Sequence, residues 1–173
     1  MAQLSDEIRS LAIGGAGSVR FLRAIVASLV ATAAFTVVAY FGPIVGLPRA
    51  DIATILGTMF VADPAAAFVP GLIMHFMIGG ILALAYAFLF AQALPGQPWL
   101  RGAAYGLVPW LMAMVVVMPM LGLVHPMVLS GMMPNPGFFL LGMGSLLPAL
   151  SSLVSHLVYG AVLGAIYGQP AQD

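Results

Sequence analysis

Three long stretches without charge dominate the pattern of apolar and polar positions along this chain. Residues 24–48, 64–100 and 102–172 contain no Asp, Glu, Lys or Arg. A helix needs about 20 consecutive apolar residues to cross a bilayer, so the first two stretches can each hold one span and the third can hold two. The pattern predicts four membrane spans, at about residues 22–41, 71–94, 104–124 and 146–167.

The predicted fold class is all-α, an integral membrane four-helix bundle. Backbone polar groups in lipid must be satisfied inside the structure, which leaves helices and closed barrels, and the alternation typical of a barrel strand is absent here. A further short interfacial helix is predicted after the first span, at about residues 51–60. Its start follows from Asp51, a favourable N-cap residue.

Composition supports a membrane protein and excludes several other classes. Hydrophobic residues make up 62% of the chain and charged residues only 6%, whereas a soluble domain carries roughly 25% charged residues. The net charge is zero, so the electrostatic footprint of a nucleic-acid-binding protein is missing. The chain has no cysteine, which excludes disulfides, thiolate metal sites and thiol catalysis.

The arginines predict an orientation. One side of the four-span arrangement carries Arg9, Arg20, Arg23 and Arg101, and the other carries Arg49 alone. The positive-inside rule then places both termini, and the loop around Arg101, in the cytoplasm. The aromatic residues expected at that interface are Trp99, Tyr86 and Tyr167.

An internal sequence repeat predicts that the bundle consists of two similar hairpins. The segment MHFMIGGILALAY at residues 74–86 matches SHLVYGAVLGAIY at 155–167, with a constant offset of 81 residues. The identities are His75 with His156, Gly79 with Gly160, Leu82 with Leu163 and Tyr86 with Tyr167. After a cytoplasmic segment at 1–19, the repeats would be residues 20–100 and 101–173. Parallel repeats of this kind are related by an axis along the membrane normal, so the two imidazoles are predicted to face each other at the same depth.

The matched histidines have one structural and two ligand-binding interpretations. In the structural one, each imidazole hydrogen-bonds across a helix interface, and the small residues at Gly79, Ala83, Gly160 and Gly164 allow close helix packing. Ser152 lies one turn before His156, within reach of its ring.

The second interpretation is a haem b with His75 and His156 as axial ligands. Gly79 and Gly160 would leave room for the macrocycle, and Arg49 could pair with a propionate. The third interpretation is a copper site. It rests on thioether and imidazole groups crowded near the end of the third span, at Met118, Met120, His125, Met127, Met132 and Met133. His125 itself is expected to be an interfacial residue that touches solvent.

The sequence predicts no enzyme activity. No carboxylate is placed to orient a histidine beside Ser151, Ser152 or Ser155, so a hydrolytic triad cannot be assembled there. Phosphate-binding loops and zinc-protease motifs are also missing. Apart from Arg23 at the mouth of the first span, no acid, lysine or arginine falls within a predicted span, which argues against ion-coupled transport.

The segments FGPIVGLPRADIATILGTMF, LPGQPWLRGAAYGLVPW and SHLVYGAVLGAIYG resemble an uncharacterised family of small bacterial four-span membrane proteins. The resemblance implies the bacterial inner membrane and an association with respiratory oxidases, without established catalytic residues. A four-span chain so low in charge, and without a reaction centre of its own, offers mainly helix faces for contact. We expect a non-enzymatic accessory or assembly subunit of a larger energy-transducing membrane complex, with other membrane subunits as partners. The alternatives are a haem b electron carrier and a small transporter or copper-handling protein.

Overall fold

The computed structural model describes residues 20–93 and 95–168, and every regular element in these residues is helical. Four of the helices are long and apolar enough to cross a membrane, and they cover Phe21–Val45, Pro64–Phe90, Pro98–Val124 and Leu147–Tyr167. The prediction of an all-α, multi-pass membrane protein is confirmed. The predicted N-terminal segment 1–19 lies outside the described residues.

The four spans are built from the following helices. The first span is α1 (Phe21–Phe41) with a 3₁₀ turn at Gly42–Val45, and the second is α3 (Pro64–Ala85) with a π-helical end at Tyr86–Phe90. The third consists of α4 (Pro98–Met112), a π-helical segment at Ala113–Val117 and α5 (Met118–Val124). The fourth is α7 (Leu147–Tyr167), and shorter elements are α2 (Ile52–Gly57), α6 (Pro126–Leu129) and a 3₁₀ segment at Phe138–Met143.

The second and third spans begin earlier in the chain than the hydrophobic pattern predicts. Asp63 accepts a hydrogen bond from the Ala65 N–H at 2.9 Å and caps the second span, whose first residue is Pro64. Pro98 likewise opens the third span. Proline suits the first helical position because its missing N–H has no partner there anyway. Pro70 lies inside the second span, which proteins tolerate in membrane helices.

The arginines mark the two ends of the bundle. Arg20 donates to the carbonyl of Tyr167 at 2.6 Å, and Arg101 donates to the carbonyl of Ala91 at 2.6 Å, so both lie where the second and fourth spans finish. We call this the arginine end. Arg49 lies at the far end, 3.9 Å from the Asp51 carboxylate.

Tyr86 and Tyr167 are buried at the arginine end rather than spread along a membrane interface. Their rings contact each other with centroids 5.8 Å apart, and Tyr105 packs 5.2 Å from Tyr86. The prediction of an interfacial role for these two tyrosines is wrong, because the hairpins meet there and enclose the rings. Trp99, by contrast, remains half exposed.

The third and fourth spans cross with their backbones in contact. A Cβ added at Gly102 or Gly106 would overlap the carbonyl oxygen of Gly160 or of His156, and one added at Gly164 would overlap that of Pro98. Glycines spaced four residues apart on both helices therefore form the crossing. Gly160 and Gly164 on the fourth span are predicted packing residues, whereas Gly102 and Gly106 on the third were not predicted, although they have the same four-residue spacing.

The short helix α2 is predicted as an interfacial helix, and in the structure it packs against the beginning of the second span. Added Cβ atoms at Gly57 and Gly71 would overlap the carbonyl oxygens of Ala67 and Ala53 respectively. The predicted N-cap is confirmed, since the Asp51 carboxylate accepts from the Thr54 N–H at 3.0 Å. One face of α2 is therefore buried by the bundle itself.

Asp51 also ties the far end of the first span to α2. Its carboxylate accepts a hydrogen bond from the Tyr40 hydroxyl, and the Arg49 guanidinium lies 4.7 Å from the centre of the Tyr40 ring. Burial by itself raises the pKa of Asp51, but the hydrogen bonds from Tyr40 and Thr54 and the Arg49 charge outweigh burial and lower the pKa below its ordinary value.

The two hairpins are not packed equivalently. The first span packs on both the second and the fourth, and the fourth packs on the third, while the second and third spans scarcely touch except near the arginine end. There the Tyr105 hydroxyl donates to the Leu82 carbonyl at 2.7 Å. Towards the far end the second and third spans make few contacts with each other, and α2 packs on the second span and is bound by His125 from the third.

Candidate functional site

The two matched histidines line one cavity in the middle of the bundle. Both rings pack against the ring of Phe35 on the first span, with centroid distances of 5.1 Å for His75 and 4.9 Å for His156. Neither imidazole points away into lipid, and Phe35 itself is buried. The predicted pairing of the histidines at one level of the bundle agrees with this geometry.

The cavity has a volume of about 190 Å³ and mostly apolar walls. All four spans and α2 contribute to it, and its lining residues are Thr32, Phe35, Ile52, Leu56, His75, Ile78, Gly79, Leu82, Pro109, Met112, Ala113, Val117, Met118, Ser152, His156 and Tyr159. The π-helical segment of the third span and the proline before it form one wall. Such interruptions of a helix occur frequently at functional sites.

The protonation of His156 follows from its hydrogen bonds. Its Nδ1 lies 2.8 Å from the Ser152 carbonyl oxygen, which can only accept, so Nδ1 is the donor. Neutral imidazole then has an unprotonated Nε2 that can accept a hydrogen bond. The Ser152 hydroxyl is 3.3 Å from the same Nδ1. Ser152 therefore lies within reach of this ring, as its position one turn earlier predicts.

Two polar atoms of the cavity wall have no hydrogen-bond partner in the structure. They are Nε2 of His75 and Oγ1 of Thr32, and both atoms are buried. Thr32 is only 1% exposed. Buried polar groups in proteins are nearly always paired, and leaving one unpaired costs about 1–3 kcal/mol. Both atoms are sealed within the packed wall rather than open to the cavity, and Oγ1 of Thr32 lies against Gly79 of the second span.

Two tyrosine hydroxyls bind the second span on the arginine side, and one of these residues, Tyr159, also lines the cavity. The Tyr159 hydroxyl donates to the Gly79 carbonyl at 2.7 Å, one turn from the carbonyl of Leu82 that accepts from Tyr105. Both hydroxyls therefore bind the backbone of the second span and attach it to the other hairpin. Each hydroxyl uses its donor hydrogen in this bond, which holds the second span in place.

His125 holds the far side of the cavity in place. It is fully buried, so the prediction of a solvent-touching interfacial residue is wrong. Its Nδ1 accepts from the Met127 N–H at 3.2 Å, which leaves Nε2 to donate to the Ile55 carbonyl of α2 at 3.0 Å. The imidazole thereby links the end of the third span to the short helix that covers the cavity.

The glycines proposed to make room for a haem are occupied by protein. The space beside Gly79 is filled by the Thr32 side chain, and that beside Gly160 by the backbone of Gly102. Ala83 is buried in the helix interface. The cavity volume of about 190 Å³ also lies below the roughly 300–1,000 Å³ of pockets that enclose drug-sized ligands. A haem macrocycle, which is at least as large, does not fit this cavity.

Arg49 does not take part in the histidine site. Its guanidinium contacts Tyr40 and Asp51 at the far end and lines a separate surface groove with Phe68 and Leu72. Of the methionines near the third span, Met118 reaches the cavity, whereas Met120 and Met132 are exposed. Among the described residues, no three His, Asp or Glu side chains form a group that could hold a metal ion.

Comparison with known families establishes what the chain is related to. The family of unknown function DUF6789 matches residues 18–173. The chain belongs to this family. The match covers all four spans, the short helix α2 and the cavity, so the whole architecture described above falls within the matched length. No curated protein and no solved structure matches the chain.

Proposed function

We propose that this member of the family is a non-enzymatic accessory or assembly subunit of a larger bacterial membrane complex of the energy-transducing, respiratory type. The observation that supports the proposal is a charge-free segment between the third and fourth spans, residues 126–146, which the bundle leaves largely uncovered. We call it the far-end segment. Its large exposed side chains are Leu129, Met132, Phe138, Leu141, Met143 and Leu146.

The far-end segment is also irregular in conformation. Phe139 and Leu140 adopt left-handed backbone angles, with φ of 50° and 57°. Bulky residues rarely adopt such angles, and the conformation costs of the order of 1–3 kcal/mol at each position unless the surroundings impose it. The bundle contacts the segment at separate points, among them the Trp110 and Phe139 rings, whose centroids are 5.8 Å apart, and the Asn135 side chain, which donates to the Gly122 carbonyl at 3.4 Å.

An uncovered segment of this kind is unfavourable in either solvent. In water it would be a contiguous apolar patch, and such patches on proteins commonly mark interaction sites. In lipid the N–H and C=O groups of its irregular backbone would lack the hydrogen-bond partners that a regular helix provides. Such backbone is found at membrane depth only where protein covers it. Contact with a further membrane subunit satisfies both requirements.

Site-specific photo-crosslinking in native membranes tests the proposal. A benzoylphenylalanine placed at Phe138 should give a discrete crosslinked product with another membrane protein, identified by mass spectrometry as a component of an electron-transfer or proton-pumping complex. The matched control is the same residue placed at Leu29, which is similarly exposed but lies on the first span. That position should react with lipid and give no discrete protein product.

Three outcomes contradict the proposal in different ways. If Phe138, like the control position, gives no discrete product, the far-end segment has no protein partner. A product consisting of two copies of this chain would replace an accessory subunit with a homo-oligomer. A discrete partner from another class of membrane protein would retain the subunit role and refute the energy-transducing assignment.

A further inference from the structure

We propose that a groove between the first and second spans at the far end binds a phospholipid whose head carries both a phosphate and a primary ammonium, as phosphatidylethanolamine does. We call it the Arg49 groove, and its lining residues include Val37, Tyr40, Phe41, Arg49, Phe68 and Leu72. The inference is independent of the proposed subunit function, because it rests on this groove and the two charges beside it.

The groove is suited to part of an acyl chain. Its volume is about 350 Å³ and its walls are mostly apolar. The hydroxyl of Thr36, which also lines it, already donates to the Thr32 carbonyl at 2.8 Å. Val37 and Phe68 are exposed on the two spans. Since a cavity of about 150 Å³ holds a benzene molecule, this groove can take several methylene groups.

The lipid head has to supply the selectivity. An acyl chain gains little by exchanging lipid for protein, because lipid tails are as apolar as leucine side chains. The first span ends at Val45 and the second begins at Pro64, so Arg49 and Asp51 lie in the connection at the membrane boundary. A phospholipid with its head at this boundary and one chain directed along Val37 and Leu72 contacts both the charges and the groove.

A pair of opposite charges is held in place beside the groove. The Arg49 guanidinium lies 4.7 Å from the centre of the Tyr40 ring and 3.9 Å from Oδ2 of Asp51. The other carboxylate oxygen, Oδ1, accepts from the Tyr40 hydroxyl and from the Thr54 N–H. Both charged side chains nevertheless remain accessible, at 58% exposed for Arg49 and 36% for Asp51. The two charges are therefore positioned before any ligand binds.

The guanidinium favours a phosphate. It carries five N–H donors in a rigid fork and binds two phosphate oxygens at once, which an ammonium group cannot do with the same geometry. The 3.9 Å separation between Arg49 and Oδ2 of Asp51 is too long for a hydrogen bond. This carboxylate oxygen therefore leaves the donors of Arg49 available to a ligand.

The carboxylate favours a primary ammonium beside that phosphate. A head with negative charge only, as in phosphatidylglycerol, would meet the like charge of Asp51 without compensation. An ammonium removes this repulsion and donates to Oδ2. The trimethylammonium of phosphatidylcholine has no N–H to donate, and the Tyr40 ring that could hold it by a cation–π contact is already paired with Arg49. Only a head with both groups complements both charges.

Photolabelling of the full-length protein in lipid nanodiscs tests this site. The probe is a phosphatidylethanolamine with a diazirine on one acyl chain, present as a trace component of a phosphatidylcholine bilayer, and mass spectrometry identifies the labelled residues. Labelling around Val37 and Leu72 should fall about fivefold when unlabelled phosphatidylethanolamine replaces part of the phosphatidylcholine. Phosphatidylglycerol in the same amount should have little effect. Labelling at Leu111, exposed on the third span, should not respond to either lipid.

Two charge variants with matched controls test the recognition of the head. Arg49→Gln should abolish competition by phosphatidylethanolamine, whereas Arg23→Gln, at an exposed arginine of the other end, should leave it unchanged. Asp51→Asn retains a residue that can cap α2 and should let phosphatidylglycerol compete as well as phosphatidylethanolamine. Its control is Asp63→Asn, at a capping carboxylate outside the groove.

A third variant tests the groove itself. Val37→Trp fills it and should abolish the labelling that responds to competition, whereas Val30→Trp places the same side chain on an exposed position of the same span outside the groove and should leave this labelling unchanged. Because Arg49 is largely exposed, Arg49→Gln keeps the test decisive even if Val37→Trp prevents folding.

Three results would overturn the proposal. Equal competition by phosphatidylethanolamine and phosphatidylglycerol in the wild type would mean that the groove contacts lipid without selecting a head. An unchanged preference in both Arg49→Gln and Asp51→Asn would show that these charges do not recognise the head. Labelling at Leu111 without labelling at Val37 or Leu72 would mean that the groove is closed to lipid, as it would be under a second copy of the chain.

Discussion

The backbone crossing of the third and fourth spans gives a sharp prediction about glycine. We consider Gly160→Ala beside Gly80→Ala, which are both glycines within a membrane-spanning helix. A Cβ at position 160 would overlap the Gly102 carbonyl oxygen and lie 2.8 Å from its carbonyl carbon. At position 80 the nearest atom, Oγ of Ser28, would be 3.7 Å away, an ordinary contact.

The expected magnitude comes from the difference between these two sites. Alanine is favoured over glycine in a helix by about 0.5–1 kcal/mol, and this gain applies to both variants. Only Gly160→Ala forces two backbones apart, and overpacking of this kind typically costs about 1–3 kcal/mol. The Gly160→Ala protein should therefore be less stable than the Gly80→Ala protein by about 1–3 kcal/mol.

Tryptophan fluorescence during titration with SDS in mixed micelles provides the assay. The Trp110 indole donates to the Ala149 carbonyl at 3.1 Å and so reports on the contact between these two spans. A Trp99→Phe background isolates that signal, since the chain has two tryptophans. Equal unfolding midpoints for the two alanine variants would refute the backbone crossing.

Two further predictions concern other contacts. Gly79→Ala should destabilise the protein by about 1–3 kcal/mol, because its Cβ would overlap Oγ1 of Thr32. Thr32→Ala should recover part of that cost, and a double-mutant cycle in the same SDS titration should show coupling, whereas additive effects would contradict the contact. Asp51→Asn should cost about 1 kcal/mol at pH 7, because the ionised carboxylate accepts a charge-assisted hydrogen bond from the Tyr40 hydroxyl and lies beside Arg49, whereas asparagine can still cap α2. Because the folded pKa of Asp51 is lowered from 3.8, its stabilisation is present above about pH 4 and lost as the pH falls through the folded value. The difference in thermal midpoint between wild type and Asp51→Asn should narrow below about pH 4, and a constant difference would contradict the interaction.

The number and type of spans could be read from the sequence because they depend on local composition. A run of apolar residues must become a membrane helix wherever it lies in the bundle, since its backbone has no other way to satisfy its hydrogen bonds in lipid. The N-cap at Asp51 was predictable for the same reason, because a cap involves only residues within one turn. The starts of the second and third spans were less accurate, since both helices begin at a proline upstream of the predicted start, and the second continues through Pro70, a residue type that usually interrupts a helix.

The histidine pair could be predicted from the internal sequence repeat, which is visible without knowledge of the packing. What surrounds the pair depends on distant residues, and the sequence offers no rule for which of them meet. Phe35 from the first span contacts both imidazoles, Thr32 fills the space beside Gly79, and His125 turns inward to bind α2.

The sequence by itself determined that this chain is a four-span helical membrane protein with two matched histidines, because both properties follow from residue type and spacing. Only the tertiary structure decided that the glycines bring backbones together, that the second and third spans make few contacts, and that a cavity of about 190 Å³ remains within the bundle. The physical reason is that close packing depends on the shapes of side chains from all four helices at once. A local pattern specifies each helix, whereas the space left between helices is fixed only when they are assembled.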